Sequence, residues 1–157
     1  MMRVGQGFDA HAFQAGSKLV LGGVLVPYDR GLQAHSDGDV VLHALCDALL
    51  GAAGLGDIGR HFPPDDAAYK DIDSRILLRK VVELVYGADL RIANADITVV
   101  AQEPRLAPYV DAMRDTISSD LQLDDTRVNI KATTTEHMGF TGRGEGIAAF
   151  AVVLLED

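Results

Sequence analysis

The chain has no tryptophan, one cysteine and five prolines among its 157 residues. A lone Cys46 excludes an internal disulfide, so the fold has to rest on its core. No run of eighteen uninterrupted apolar residues occurs, which excludes a membrane-spanning helix. Cations are scarce as well: 14 Lys and Arg stand against 23 Asp and Glu, for a net charge of -9. Without a basic block, a large phosphate-backbone footprint is excluded, and nucleic acid is not an expected partner. The opening MMRVGQGFDAH lacks the basic-then-apolar layout of a secretory signal, so a cytoplasmic location is expected. The acidity also sets a condition on any phosphorylated ligand, because cations must reverse the local field; bound metal is the obvious source.

What is present is an ordinary globular composition, 48% hydrophobic and 24% charged. The length suits a single domain over residues 1–157, and neither a repeat nor a Gly/Ser/Pro linker divides it. Residues 2–8, 18–26, 91–102, 126–134 and 146–156 carry strand patterns. Helical patterns cover HSDGDVVLHALCDALLG (35–51), DSRILLRKVVELVYG (73–87, with Asp73 or Ser74 as cap and Gly87 as stop) and EPRLAPYVDAMRDTISSDLQ (103–122). The pattern predicts an α+β fold, a mixed β-sheet covered by helices on one face. In the last strand both the odd and the even positions are apolar, which predicts burial of both faces. Three helices cover one face, so the other is expected to pack against further copies of the chain in a homo-oligomer.

Asp39, His43 and Asp47 recur every four residues and so share one helical stripe, hemmed in by apolar neighbours. Asp39, following Gly38, also suits an N-cap. In GFDAH, Asp9 and His11 are two apart, and on a strand both point to the same side. A carboxylate and two imidazoles make a three-ligand set that leaves zinc a fourth position for water or substrate. Spacing leaves two readings open, a catalytic metal site and a core histidine bonded to a carboxylate. The segment KATTTEHMGFTGRGEG (131–146) offers threonine hydroxyls and glycine-freed N–H groups to anionic oxygens, with Glu136 placed to hold a hard divalent cation. It is not a Walker A loop, and a strand end followed by a tight turn explains it equally well. The loop GLGDIGRHFPPDD (54–66) crowds Asp57, His61, Asp65 and Asp66 together, or simply closes a helix.

Taken in order, GFDAH, AHSDGDVVLHALCDALLGAAGLGDIGRHFP, DSRILLR, AQEPRL and IKATTTEHMGFTGRGEGIA resemble the signature segments of the 2-C-methyl-D-erythritol 2,4-cyclodiphosphate synthases, across essentially the whole chain. The resemblance implies a homotrimer with active sites between subunits. It also implies intramolecular phosphoryl transfer in a cytidine diphosphate-linked methylerythritol 2-phosphate, giving the cyclic diphosphate and CMP. Carried over, Asp9, His11 and His43 hold one zinc per chain, and Glu136 helps hold magnesium or manganese against the diphosphate. His35 and Thr134 position the phosphates and are the implied catalytic residues. Ser36, Asp57 and Gly59 meet the methylerythritol phosphate, and Phe62 and Asp66 also belong to the substrate-binding set. Asp47 is the implied supporting partner of His43.

Cytidine is implied to bind at Ala101 through Ala107, Arg105 and Leu106 included, and at Thr133, Thr135 and Glu136. An axial cavity near Phe140 and Arg143 is implied to accept an isoprenoid diphosphate. Pro64, Arg105, Ala107 and His137 depart from the usual pattern, and an arginine fork grips phosphate differently from an ammonium. Two rival functions fit the residues by themselves: a zinc-dependent phosphoester hydrolase and a non-catalytic trimer that binds isoprenoid diphosphates. Asp37 has no role in any of these readings.

Overall fold

Residues 1–157 are described by a computed structural model. Strand β1 (Met2–Ala15) leads into the short strands β2 (Leu19–Leu21), β3 (Val24–Val26) and β4 (Arg30–Leu32). Helix α1 (Val40–Ala53) and the single turn α2 (Ile58–His61) follow, then α3 (Ser74–Gly87) and β5 (Arg91–Val100). Helix α4 (Val110–Leu121), β6 (Val128–Thr133), the turn α5 (Gly139–Gly142) and β7 (Gly146–Glu156) complete the chain. The main sheet has the order β4-β1-β7-β5-β6, antiparallel except for the β5–β6 pair, while β2 and β3 form a separate hairpin. This is the expected α+β class with a mixed sheet.

Several boundaries differ from the sequence expectation for physical reasons. The 18–26 segment is two strands because Gly22 and Gly23 both take positive φ and reverse the chain, with their N–H groups held by the Asp39 carboxylate. Strand β1 runs on past residue 8 because it stays paired with β7 as far as Ala12 and then pairs with β4 over Phe13–Ala15. Helix α1 begins at Val40, with Asp39 as its N-cap accepting from Leu42 N, so His35–Gly38 form a loop before it. Asp73 caps α3, and the prolines at 104 and 108 keep the chain out of α-helix until Val110.

Helix α1 rests on the backbone of β1 where positions 5 and 7 of the strand carry no side chain. A Cβ at Gly5 would run into the carbonyl oxygen of Ala48, and one at Gly7 into that of Ala44. Leu42, Leu45, Leu49 and Leu50 on the same helix are fully buried, each worth about 1.5–3 kcal/mol in removed apolar surface. They belong to one core cluster of 36 residues.

The burial expected on both faces of β7 is only half met within one chain. Ile147, Ala149, Ala151, Val153 and Leu155 are buried beneath the helices, but Phe150 is 42% and Val152 45% exposed. Phe8 stacks on Phe150 from the neighbouring strand, ring centroids 5.0 Å apart, and Val4 extends the same bare apolar face. No helix is long and apolar enough to cross a membrane.

Candidate metal centre and adjoining clefts

Positions 5, 7, 9 and 11 of β1 share one face, so the two glycines that admit α1 are followed on that face by Asp9 and His11. His43 comes down from α1 one residue before Ala44, which rests over Gly7. Asp9 Oδ2 lies 2.8 Å from His11 Nε2 and 3.0 Å from His43 Nδ1, and the two ring nitrogens are 3.3 Å apart. Two ligands about 2.05 Å from a tetrahedral zinc are separated by about 3.3 Å, so three such atoms converge as a zinc tripod requires. The donor set of one carboxylate and two imidazoles fits the ion as well, and no other ligand is needed to form the tripod.

Burial works against ionising Asp9, yet the hydrogen bonds and charge of His11 and His43 hold its carboxyl at about 2. Burial likewise opposes protonation of His43, but the hydrogen bond and charge of Asp9 lift it above its ordinary value. The cluster attracts positive charge, which a divalent ion could supply in place of protons.

The tripod forms one wall of an open cleft of about 730 Å³, whose lining also includes His35, Ser36, Asp47, Gly59 and Phe62. His35 Nε2 donates to the carbonyl of Asp66 at 2.9 Å, and Asp71 N donates to the carbonyl of His35 at 2.7 Å, so this loop is clamped. Asp57 does not line the cleft; it caps α2 by accepting from Arg60 N. Asp66 is exposed at the rim, where its side chain accepts from Ala68 N. Pro64 lines the cleft, where it adds an apolar surface.

Asp47 is not bonded to His43. Its Oδ1 accepts from Ile58 N at 2.8 Å and so ties α1 to the next loop, while burial raises its pKa against that N–H. The hydroxyls on His43 belong to Ser36 and Ser74 instead, at 3.1 and 2.9 Å from Nε2. Sequence reasoning missed Ser74 in this role, since it showed only as a candidate cap. His61 donates to Leu55 O, a structural use.

A second cleft, about 560 Å³, opens where β5 and β6 end, and Ala101, Arg105, Leu106, Ala107, Thr133 and Thr134 line it. Thr134 therefore sits apart from His35, and the two clefts share no lining residue within one chain. Beside it the TTTEHMG turn is sharper than glycine alone explains. Glu136 and His137 both take left-handed backbone conformations, φ 53° and 64°, at a cost of about 1–2 kcal/mol each. Thr134 Oγ1 accepts from Glu136 N, and Gln102 Oε1 accepts from His137 N, which hold them there. Thr135 Oγ1 donates to Met138 O at 2.5 Å. Glu136 is left exposed, Phe140 is 42% exposed, and Arg143 pairs with Glu145.

Residues 2–156 match the family model described as the YgbB family. The chain belongs to the YgbB family. Among YgbB-like relatives, the 2-C-methyl-D-erythritol 2,4-cyclodiphosphate synthase of Moorella thermoacetica is 64% identical over 156 residues, covering 99% of this chain and 96% of that one. The synthase of Methylococcus capsulatus is 61% identical over 155 residues, with 99% and 98% covered. A solved 2C-methyl-D-erythritol-2,4-cyclodiphosphate synthase in a CDP-bound form superposes with a TM-score of 0.90 at 37% identity, covering 98% of this chain and 100% of that one. The bifunctional IspDF of Campylobacter jejuni superposes at 0.95 with 46% identity over 99% of this chain, which spans 42% of that longer protein.

Proposed function

We propose that this chain converts 4-diphosphocytidyl-2-C-methyl-D-erythritol 2-phosphate to 2-C-methyl-D-erythritol 2,4-cyclodiphosphate and CMP. The observation that carries the reading is the Asp9–His11–His43 tripod, opening on a cleft in a chain 64% identical to a protein of that name. One oxygen of the substrate's own 2-phosphate bonds to the β-phosphorus, and the bond from that phosphorus to the bridging oxygen breaks, releasing CMP. No water is consumed and no protein nucleophile is needed; the task is positioning and charge neutralisation.

Asp9, His11 and His43 would hold one zinc, which would supply neutralisation of phosphate charge and polarisation of a phosphoryl oxygen. Glu136 offers an exposed carboxylate to a magnesium or manganese ion on the diphosphate. His35 and Thr134 position the phosphates, while Ser36, Gly59 and Phe62 face the methylerythritol part, with Asp57 and Asp66 at its margin. Ala101, Arg105, Leu106, Ala107, Thr133 and Thr135 receive the cytidine side.

A homotrimer belongs to the same reading. The bare face around Phe8, Phe150 and Val152 supports it, and so does the placement of His35 and Thr134 in different clefts, which adjacent subunits would bring to one substrate. One catalytic domain over 1–157, a cytoplasmic setting and an isoprenoid diphosphate in an axial cavity near Phe140 and Arg143 complete it. The single core cluster and the buried free thiol of Cys46 support the first two. Neither the hydrolase nor the binding-only trimer draws support from these relatives.

Incubation with the cytidine-linked substrate and a divalent metal, followed by phosphorus NMR, tests the reading. The cyclic diphosphate and CMP are expected in equal amounts. An acyclic bisphosphate or monophosphate as the product would overturn it.

A further inference from the structure

The ring of His43 has two edges with opposite surroundings. Nδ1 faces Asp9 and His11; Nε2 faces the hydroxyl of Ser74, which is fully buried, at 2.9 Å and that of Ser36 at 3.1 Å. Behind Ser74 stands Asp37. Its Oδ1 accepts the Ser74 hydroxyl at 2.5 Å and Asp39 N at 3.1 Å, and its Oδ2 accepts Ser74 N at 3.0 Å. Each side of this chain of contacts has a fixed direction. A carboxylate offers lone pairs alone, so the single hydroxyl proton of Ser74 goes to Asp37. Ser74 Oγ then has only lone pairs left for His43, and Nε2 must carry the ring proton that meets them. In a neutral imidazole this leaves the lone pair on Nδ1, the nitrogen in the tripod.

We propose that Asp37 is a positioning residue of the metal centre, acting through the buried Ser74 hydroxyl to fix the proton and orientation of the His43 ring. The inference rests on the metal reading above and deepens it. Metal-bound histidines commonly donate their free N–H to an oxygen acceptor, and losing that partner typically weakens metal binding 10–100-fold. Here the acceptor is a serine made directional by a carboxylate. Asp37 sits in the loop before α1 and Ser74 opens α3, so the relay also ties the orientation of a metal ligand to the docking of two elements. Ser36 reaches the same Nε2 but lies in the cleft wall, where its hydroxyl proton remains available to a substrate oxygen.

Zinc affinity, measured by competition with a chromophoric chelator, and the His43 Nε2–H signal in nitrogen-15 NMR of the zinc-loaded protein test the relay, since neither needs turnover. The wild type is expected to show a slowly exchanging Nε2–H proton. Asp37→Ala and Ser74→Ala should each weaken zinc by about 10–100-fold and speed exchange of that proton. The double variant should lose no more than the worse single, because both act through one chain of bonds. Asp37→Asn, which keeps an acceptor for the serine, should recover part of the affinity.

A role confined to folding would lower the melting temperature of the zinc-free protein and leave affinity and exchange alone, and that result would overturn the relay. So would a zinc-loaded wild type without a protonated Nε2, a measurement that holds even if the alanine variants do not fold. Loss of affinity in Ser36→Ala alone would shift the role to Ser36 and overturn it too. A wild type that binds no zinc would instead strike the metal reading itself.

Discussion

Asp39 is the most completely buried acid in the chain, and its position at the head of α1 shows how strongly one residue's surroundings set its chemistry. Burial first, and the nearby charge of Asp37 second, push its pKa from 3.8 up to about 6, against the three N–H groups of Gly23, Leu42 and Gly22 that favour the charged form. A folded-state value above the unfolded one means that the neutral carboxyl stabilises the fold fully below about 3.8, and that this contribution is lost as pH rises through about 6. Urea unfolding of the wild type and Asp39→Asn across that window checks the sign: the wild type's advantage should shrink as pH rises. An advantage that grows would mean that the three donors outweigh burial.

His43 was legible because i, i+4 spacing and the D-x-H pattern are local signals. The pairing of Asp37 with Ser74 was not, since 37 residues separate them and no single-sequence pattern spans that distance. Asp47 illustrates the opposite error. Helical spacing put it on the His43 stripe, and only the path of the loop after α1 shows that its oxygen is taken by Ile58 N.

Among elements, the crossing of α1 over β1 has the largest consequence. The glycines at 5 and 7 are what let His43 descend to within 3.0 Å of Asp9, so packing and the geometry of the Asp9–His11–His43 cluster depend on one contact. Gly7→Val would lift the helix from the strand. The expected cost is about 1–3 kcal/mol in the urea stability of the zinc-free protein, with a parallel loss of zinc affinity. Unchanged affinity in a folded Gly7→Val protein would show that the tripod does not depend on this approach.

Strand and helix patterns gave the order of these elements well, because alternation and 3.6-residue periodicity are local. The turns were less legible. Two consecutive left-handed residues at Glu136 and His137, where glycine would be expected, arise from side-chain hydrogen bonds to Thr134 and Gln102 that only the folded chain brings together.

At the scale of the molecule, the sheet keeps one face dry under helices and leaves the other bare. An apolar stripe of Val4, Phe8, Phe150 and Val152 exposed to water is costly, and a symmetric assembly removes the cost. The all-apolar last strand carried that signal in its sequence. Sedimentation should give about three times the 16.8 kDa chain mass for the wild type and a smaller species for Phe150→Lys. Equal masses for the two would contradict assembly through this face. If the second cleft comes from a neighbouring subunit, Phe150→Lys should also lose turnover while each folded chain keeps its zinc.

The source of oxygen in the products tests the central claim most directly. Intramolecular transfer forms its new bond from the substrate's own phosphate, so turnover in oxygen-18 water should yield CMP and cyclic diphosphate free of label, as read by mass spectrometry. Label in a phosphoryl group of either product would show attack by water and contradict the account.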